Sequence, residues 1–201
     1  MKPTRKGKYL HPLPVRIWHW VNAFLMLCMI ATGVFLRYGI LLTFETAFIL
    51  HNWIGVLLIL VWFMWFFYYA FSDYGKTYFH HLKFKDFYNK FLLQLKYYGY
   101  DIFVGGQKPH HITPLDKFNP MQKVSYHFIM FFVLPISMIT GIVMWQFGLW
   151  LLAVEMLKLF HVTHTLIFIL LTFFMGVHIY MGFLGKKPST HYKEMITGYE
   201  E

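Results

Sequence analysis

The sequence predicts an all-α fold, an integral membrane four-helix bundle with both termini in the cytoplasm. Three observations carry this. First, 58% of the 201 residues are hydrophobic, 22% are aromatic and 13% are charged, whereas an ordinary soluble domain has about 25% charged residues. So little charge cannot cover a surface in water, and the solvent suited to the outside is lipid. Second, residues 17–36, 46–72, 124–154 and 159–185 hold no Lys, Arg, Asp or Glu, giving runs of 20, 27, 31 and 27 residues. A spanning helix needs roughly 20 apolar residues to cross about 30 Å. Third, the positive charge is lopsided. The N-terminal tail through Arg16 holds five Lys and Arg, segment 72–123 holds eight and the C-terminal tail three, while the other two connections hold only Arg37 and Lys158. This split of 16 against 2 places both termini and the middle segment in the cytoplasm.

The elements follow in order, within one domain over 1–201. Helices are expected near 15–37, 46–71, 121–147 and 158–185, because lipid satisfies no exposed backbone group. The first is too long for a signal-peptide core and no cleavage pattern follows it. Cys28 is the single cysteine, so no internal disulfide forms. No C-x-x-C-H occurs, which excludes covalent c-type haem. The cytoplasmic segment 72–120 is not all loop. Phe84, Phe87, Tyr88, Phe91, Leu92, Leu95 and Tyr98 recur at helical spacing among Lys83, Lys85, Lys90 and Lys96. That pattern is an amphipathic helix, either lying on the membrane surface or docked on the protein's own bundle. Pro135 should kink the third helix rather than end it. The net charge of +9 is explained by the loop asymmetry and by anionic lipid. The lysines flank membrane segments instead of forming a nucleic-acid patch.

A faint repeat relates helices one and three. Trp18-His19-Trp20 is followed, 13 residues after the histidine, by Thr32-Gly33; Tyr126-His127-Phe128 is followed at the same distance by Thr140-Gly141. The pattern suggests two helical hairpins.

The histidines fall at two depths. His51 lies near the periplasmic end with His161 or His164. His19 and His178, with His127, lie near the cytoplasmic end. Helical phase separates His161 from His164. At about 100° per residue, the 14 residues from His164 to His178 end about 40° short of four turns, whereas the 17 from His161 end about 100° short of five. His164 and His178 therefore share a face, about 21 Å apart along the axis. A pair of neutral imidazoles from facing helices is how a bundle core holds a b-type haem iron. Two pairs would stack two haems across the membrane. Gly33, Gly55, Gly141 and Gly176 are candidates to let the macrocycle approach the backbone.

"RIWHWVNAFLMLCMIATG", the His164/His178 spacing and "FNPMQKVSYHFIMFFVLPISMITGIVMW" together resemble a known family over about residues 12–185. It is the four-helix di-haem cytochrome b membrane subunit of formate dehydrogenases, nickel-iron hydrogenases and thiosulfate reductases. The resemblance implies that His19 and His178 ligate the cytoplasmic-side haem, and His51 and His164 the periplasmic-side haem. It also implies a quinone, menaquinone or ubiquinone, near the cytoplasmic-side haem. Asn119 matches an asparagine near that quinone. Met121 stands where formate dehydrogenase members have glycine, and His127 where they commonly have tryptophan. His127 is a candidate quinone-side proton donor, since its ordinary pKa suits exchange near neutral pH; a satisfied interface histidine is the other reading.

The function expected is electron transfer between a periplasmic redox partner and the quinone pool, in a bacterial inner membrane. The chain lacks the cysteines for iron–sulfur clusters and any machinery to activate hydrogen, formate or thiosulfate. The catalytic site belongs to another polypeptide, of hydrogenase, formate dehydrogenase or sulfur-oxyanion reductase type. An iron–sulfur or cytochrome subunit would link the two. One alternative is a stand-alone di-haem quinol oxidoreductase acting on a small oxidant, but the loops near 38–45 and 148–157 are too short to build much of a pocket. Another is a metal transporter, but transporters bind near the midplane and these histidines sit near both edges.

Overall fold

The computed structural model describes residues 7–73, 75, 84–110, 116, 118–147, 153–185 and 187–199. Lys2, Arg5, Lys6, Lys76, Lys83, Lys117 and Lys186 of the charge count, the side chain of Phe84 and loop residues 148–152 lie outside these.

Helix α1 spans Leu13–Tyr38. Pro14 sits in its first turn, where no intrahelical N–H is needed. Gly39 closes it with φ +62°, its N–H bonding Phe35 O; glycine takes this left-handed conformation without a Cβ penalty. Helix α2, Phe44–Phe71, is capped by Thr43, whose side chain accepts from the Thr46 N–H. Helix α3 runs Phe84–Gly99. Helix α4, Pro120–Phe128, continues through a π-helical segment, Ile129–Val133, into α5, Leu134–Phe147. Helix α6 spans Val154–Gly182 and α7 Thr190–Thr197. Leu13–Tyr38, Phe44–Phe71, Pro120–Gln146 and Val154–Gly182 are each long and apolar enough to span a membrane. No strand occurs among the described residues.

The observed starts precede the expected ones, most clearly in α6, which begins at Val154 instead of 158. Charge-free runs cut this helix short because Glu155 and Lys158 lie inside its first turns, joined at 3.2 Å. A carboxylate there is favoured by the helix dipole. Glu45 does the same in α2.

The helices pair as two hairpins. α1 packs on α2 and α5 on α6, and the hairpins meet through α2 with α5 and α1 with α6. Met26, Leu58, Trp65, Met130, Val133 and Leu171 form the shared core. The perimeter is apolar: Phe24, Met64 and Phe173 are about two-thirds exposed, as lipid-facing side chains are. N- and C-terminal segments lie together at one end of the bundle, here the termini end. The Leu10 N–H bonds Gly198 O at 2.8 Å, the Trp20 indole bonds Met195 O at 3.3 Å, and Arg16 bonds Ile196 O.

Pro135 does not end the third span. The helix passes through it after widening over Ile129–Val133, where the Leu134 N–H bonds Ile129 O, five residues back. That register leaves Met130 O facing the nitrogen of Pro135, which has no hydrogen. The Trp62 indole of α2 donates to Met130 O at 2.9 Å instead. α3 docks beside α4, burying Gln94 and Tyr97. Its expected apolar face divides: Phe87, Phe91 and Tyr98 are half-buried, while Tyr88, Leu92 and Leu95 stay exposed. The polar Gln94 lies inside because the docked side faces another helix of the same chain.

Candidate functional site

Two histidine pairs form between facing helices. At the end away from the termini, the loop end, His51 of α2 faces His164 of α6 with ring centroids 6.3 Å apart. At the termini end, His19 of α1 faces His178 of α6 with centroids 6.1 Å apart. α6 contributes one histidine to each pair, and α1 and α2 contribute the others. His161 lies one turn from His164 on the exposed side of α6.

The spacing is itself a test of what fits between the rings. A metal–imidazole bond is about 2.0–2.1 Å, as for zinc, and a ring nitrogen lies about 1.1 Å from its centroid, so two imidazoles on opposite sides of one metal have centroids about 6.2–6.4 Å apart. The loop-end pair at 6.3 Å falls in this range, and the termini-end pair at 6.1 Å lies just below it. Among the described residues no three His, Cys, Asp or Glu side chains group as a metal site. Two imidazoles leave a naked ion short of ligands, whereas a porphyrin supplies four nitrogens of its own. The donor set therefore fits haem iron with two axial histidines.

The surroundings fit as well. A cleft opens beside the loop-end pair, lined by Met26, Met29, Gly55, Met138, Phe168 and Leu171 among others. Its walls are largely apolar, as a porphyrin face requires. A Cβ at Gly33 would lie 3.7 Å from His51 Cε1, one at Gly141 3.4 Å from His164 Cε1, and one at Gly55 3.6 Å from Met29 Cε. Gly176 stands apart: a Cβ there would meet nothing within 4 Å. At the termini end the ring of Phe174 stacks on His178, 5.8 Å between centroids.

Sequence reasoning missed two residues. Thr32 Oγ1 lies 2.9 Å from His51 Nδ1, and Thr140 Oγ1 lies 2.8 Å from His164 Nδ1. The internal repeat held the signal, because these threonines are its second members.

The two candidate quinone residues belong to α4, Asn119 as its N-cap and His127 in its last turn. Asn119 is buried and caps α4. Its Oδ1 accepts from the Gln122 N–H at 2.9 Å, and its Nδ2 donates to Tyr98 OH at 3.0 Å. One Nδ2 hydrogen remains beyond these bonds. Burial raises the Tyr98 phenol above its ordinary pKa, and the Asn119 bond opposes that rise. Nearby, Lys123 and Asp116 pair at 2.6 Å, and His110 bonds Asp116 O at 3.1 Å. Burial lowers the pKa of His110. The His127 ring bonds Lys123 O at 2.7 Å, four residues back, and stacks on Phe131.

The chain is similar in sequence to known proteins. The chain is 27% identical over 203 residues to "Putative cytochrome YdhU" of Escherichia coli (strain K12), covering 95% of this chain and 74% of the other. A stretch of 32 residues, 16% of this chain and 13% of the other, is 50% identical to the "Probable Ni/Fe-hydrogenase B-type cytochrome subunit" of Rhizobium leguminosarum bv. viciae. The family model described as prokaryotic cytochrome b561 matches residues 10–198, a range that takes in all four spans and both histidine pairs. The chain belongs to the prokaryotic cytochrome b561 family, membrane proteins that bind b-type haem.

Proposed function

We propose that this chain is the membrane electron-transfer subunit of an oxidoreductase complex. It holds two b-type haems and links a periplasmic redox subunit to the quinone pool. The observation that carries the reading is the pair of histidine pairs, each spaced to hold a metal between two imidazoles, at opposite ends of one bundle. Haem b, when bound, supplies reversible one-electron transfer. His51 and His164 hold the loop-end group, His19 and His178 the termini-end group, and the rise of α6 sets the two about 21 Å apart.

The rest of the chain fits a supporting role. Cys28 is its one cysteine, so it ligates no iron–sulfur cluster by itself. The hydrogenase cytochrome that matches one stretch is named as a subunit, which supports a catalytic partner chain. The distribution of Lys and Arg supports a cytoplasmic position for the termini end, in a bacterial inner membrane. The quinone then lies near Asn119 and His127, with His178 and His19 nearest to it. Asn119 offers its remaining amide hydrogen to a quinone oxygen, and His127 is the side chain placed to pass it a proton.

Purification of the tagged chain from its native membrane in mild detergent tests this. The expected preparation carries at least one further redox subunit, and a quinol or quinone analogue changes its reduced b-type spectrum. A chain that purifies alone and whose haem spectrum ignores quinone analogues overturns the reading.

A further inference from the structure

Each loop-end ligand is touched by a threonine on the other helix of its own hairpin. Thr32 of α1 reaches His51 of α2, and Thr140 of α5 reaches His164 of α6. A threonine hydroxyl has one hydrogen to give. Thr32 Oγ1 lies 2.8 Å from Cys28 O and 3.2 Å from Met29 O. Thr140 Oγ1 lies 2.8 Å from Ile136 O and 2.9 Å from Ser137 O. Carbonyl oxygens only accept, so the hydroxyl hydrogen is committed to them. Each hydroxyl oxygen therefore accepts from the ring, and Nδ1 carries the imidazole hydrogen. A neutral imidazole with its hydrogen on Nδ1 keeps its lone pair on Nε2.

The next residue is glycine in both hairpins, which leaves room for the Cε1 edge of each ring. The termini-end pair is built differently. His19 Nδ1 is buried and has no hydrogen-bond partner among the described residues.

We infer that Thr32 and Thr140 are positioning residues for the loop-end haem alone. They fix His51 and His164 in the Nδ1–H tautomer, with Nε2 of each ring presented to the metal. This inference rests on the haem assignment proposed above. A hydrogen bond from the far ring nitrogen raises the basicity of the ligating one, and losing such a partner typically lowers metal affinity about 10- to 100-fold.

The test uses the full chain purified with its haems, as wild type, Thr32→Val, Thr140→Val, Thr32→Ser and Thr172→Val. Thr172 is the control, since its hydroxyl donates to Phe168 O at 2.8 Å, one turn back. The readouts are the midpoint potential of each haem and its rate of loss to a haem-scavenging protein. His164→Ala identifies which signal is the loop-end haem. Valine at 32 or 140 should raise the loop-end potential and weaken retention of that haem about 10- to 100-fold. The termini-end haem should keep its potential, serine at 32 should restore the wild-type values, and Thr172→Val should match wild type. Unchanged loop-end potential and retention in both valine variants overturns the inference. Equal effects on both haems also overturn it, by making the threonines part of the bundle's general structure. A wild type with fewer than two haems overturns the underlying haem assignment instead, before any threonine is changed.

Discussion

An offset of three positions between His161 and His164 decides which imidazole meets His51. Helical phase turns His164 toward the bundle and leaves His161 exposed. His161→Ala should therefore leave both haems bound, whereas His164→Ala should lose the loop-end haem, as a haem count on each purified variant would show. A reversed result would mean that the phase of α6 is misread. Phase was legible because it needs only 3.6 residues per turn. The roles of Thr32 and Thr140 were not, because a membrane threonine ordinarily bonds its own helix four residues back. Contact with a histidine on another helix needs the packed hairpin. Asn119 differs again. Its match to a family position suggested quinone contact, but the structure commits most of its amide to the α4 cap and to Tyr98. Loss of an Asn cap typically costs about 1 kcal/mol, so Asn119→Ala mixes two effects. Asn119→Asp separates them, since aspartate also caps helices well. Its expected phenotype is wild-type thermal stability with slowed haem oxidation by a quinone analogue in stopped flow. Wild-type quinone kinetics in the aspartate variant would remove Asn119 from the quinone site.

Among the elements, the third span is the one whose irregularity the sequence announced. Pro135 marked the place. The form of the accommodation, a π segment with the Trp62 indole bonded to Met130 O, depends on a residue 68 positions away in the chain. No local pattern reports such a donor. A buried acceptor left without its donor costs about 1–3 kcal/mol, so Trp62→Phe should destabilise the bundle by about that much. Pro135→Ala restores a backbone N–H facing Met130 O. The same Trp62→Phe change should then cost less in the Pro135→Ala background. Unfolding of the four proteins in detergent measures the coupling, and equal costs in both backgrounds would reject this bond as the reason. The ends of α2 and α6 show the opposite limit. Glu45, Glu155 and Lys158 lie inside these helices, so runs defined by absence of charge started too late.

For the whole molecule, composition and charge-free runs were enough for four spans, and the faint repeat has a counterpart in the two hairpins. The repeat also accounts for His127. It occupies the place in α4 that His19 occupies in α1, but α2 offers it no matching histidine. Fourteen residues after His51, where α6 has His178 after His164, stands Trp65, buried with its ring 5.5 Å from Phe131. The second inner position is thus filled by aromatic side chains, and one histidine pair forms there. Which side of the membrane the termini occupy rests on the 16-to-2 division of positive charge. A C-terminal fusion should therefore fluoresce as a cytoplasmic reporter and show no activity as a periplasmic phosphatase; the opposite pattern would invert the topology. Haem stoichiometry decides whether the bundle holds two bis-histidine haems. A pyridine haemochrome assay on the purified, quantified chain should give two b-type haems per polypeptide, falling to about one with His164→Ala or with His19→Ala. One haem or none in the wild type, or two haems retained after either substitution, would contradict the two-haem assignment.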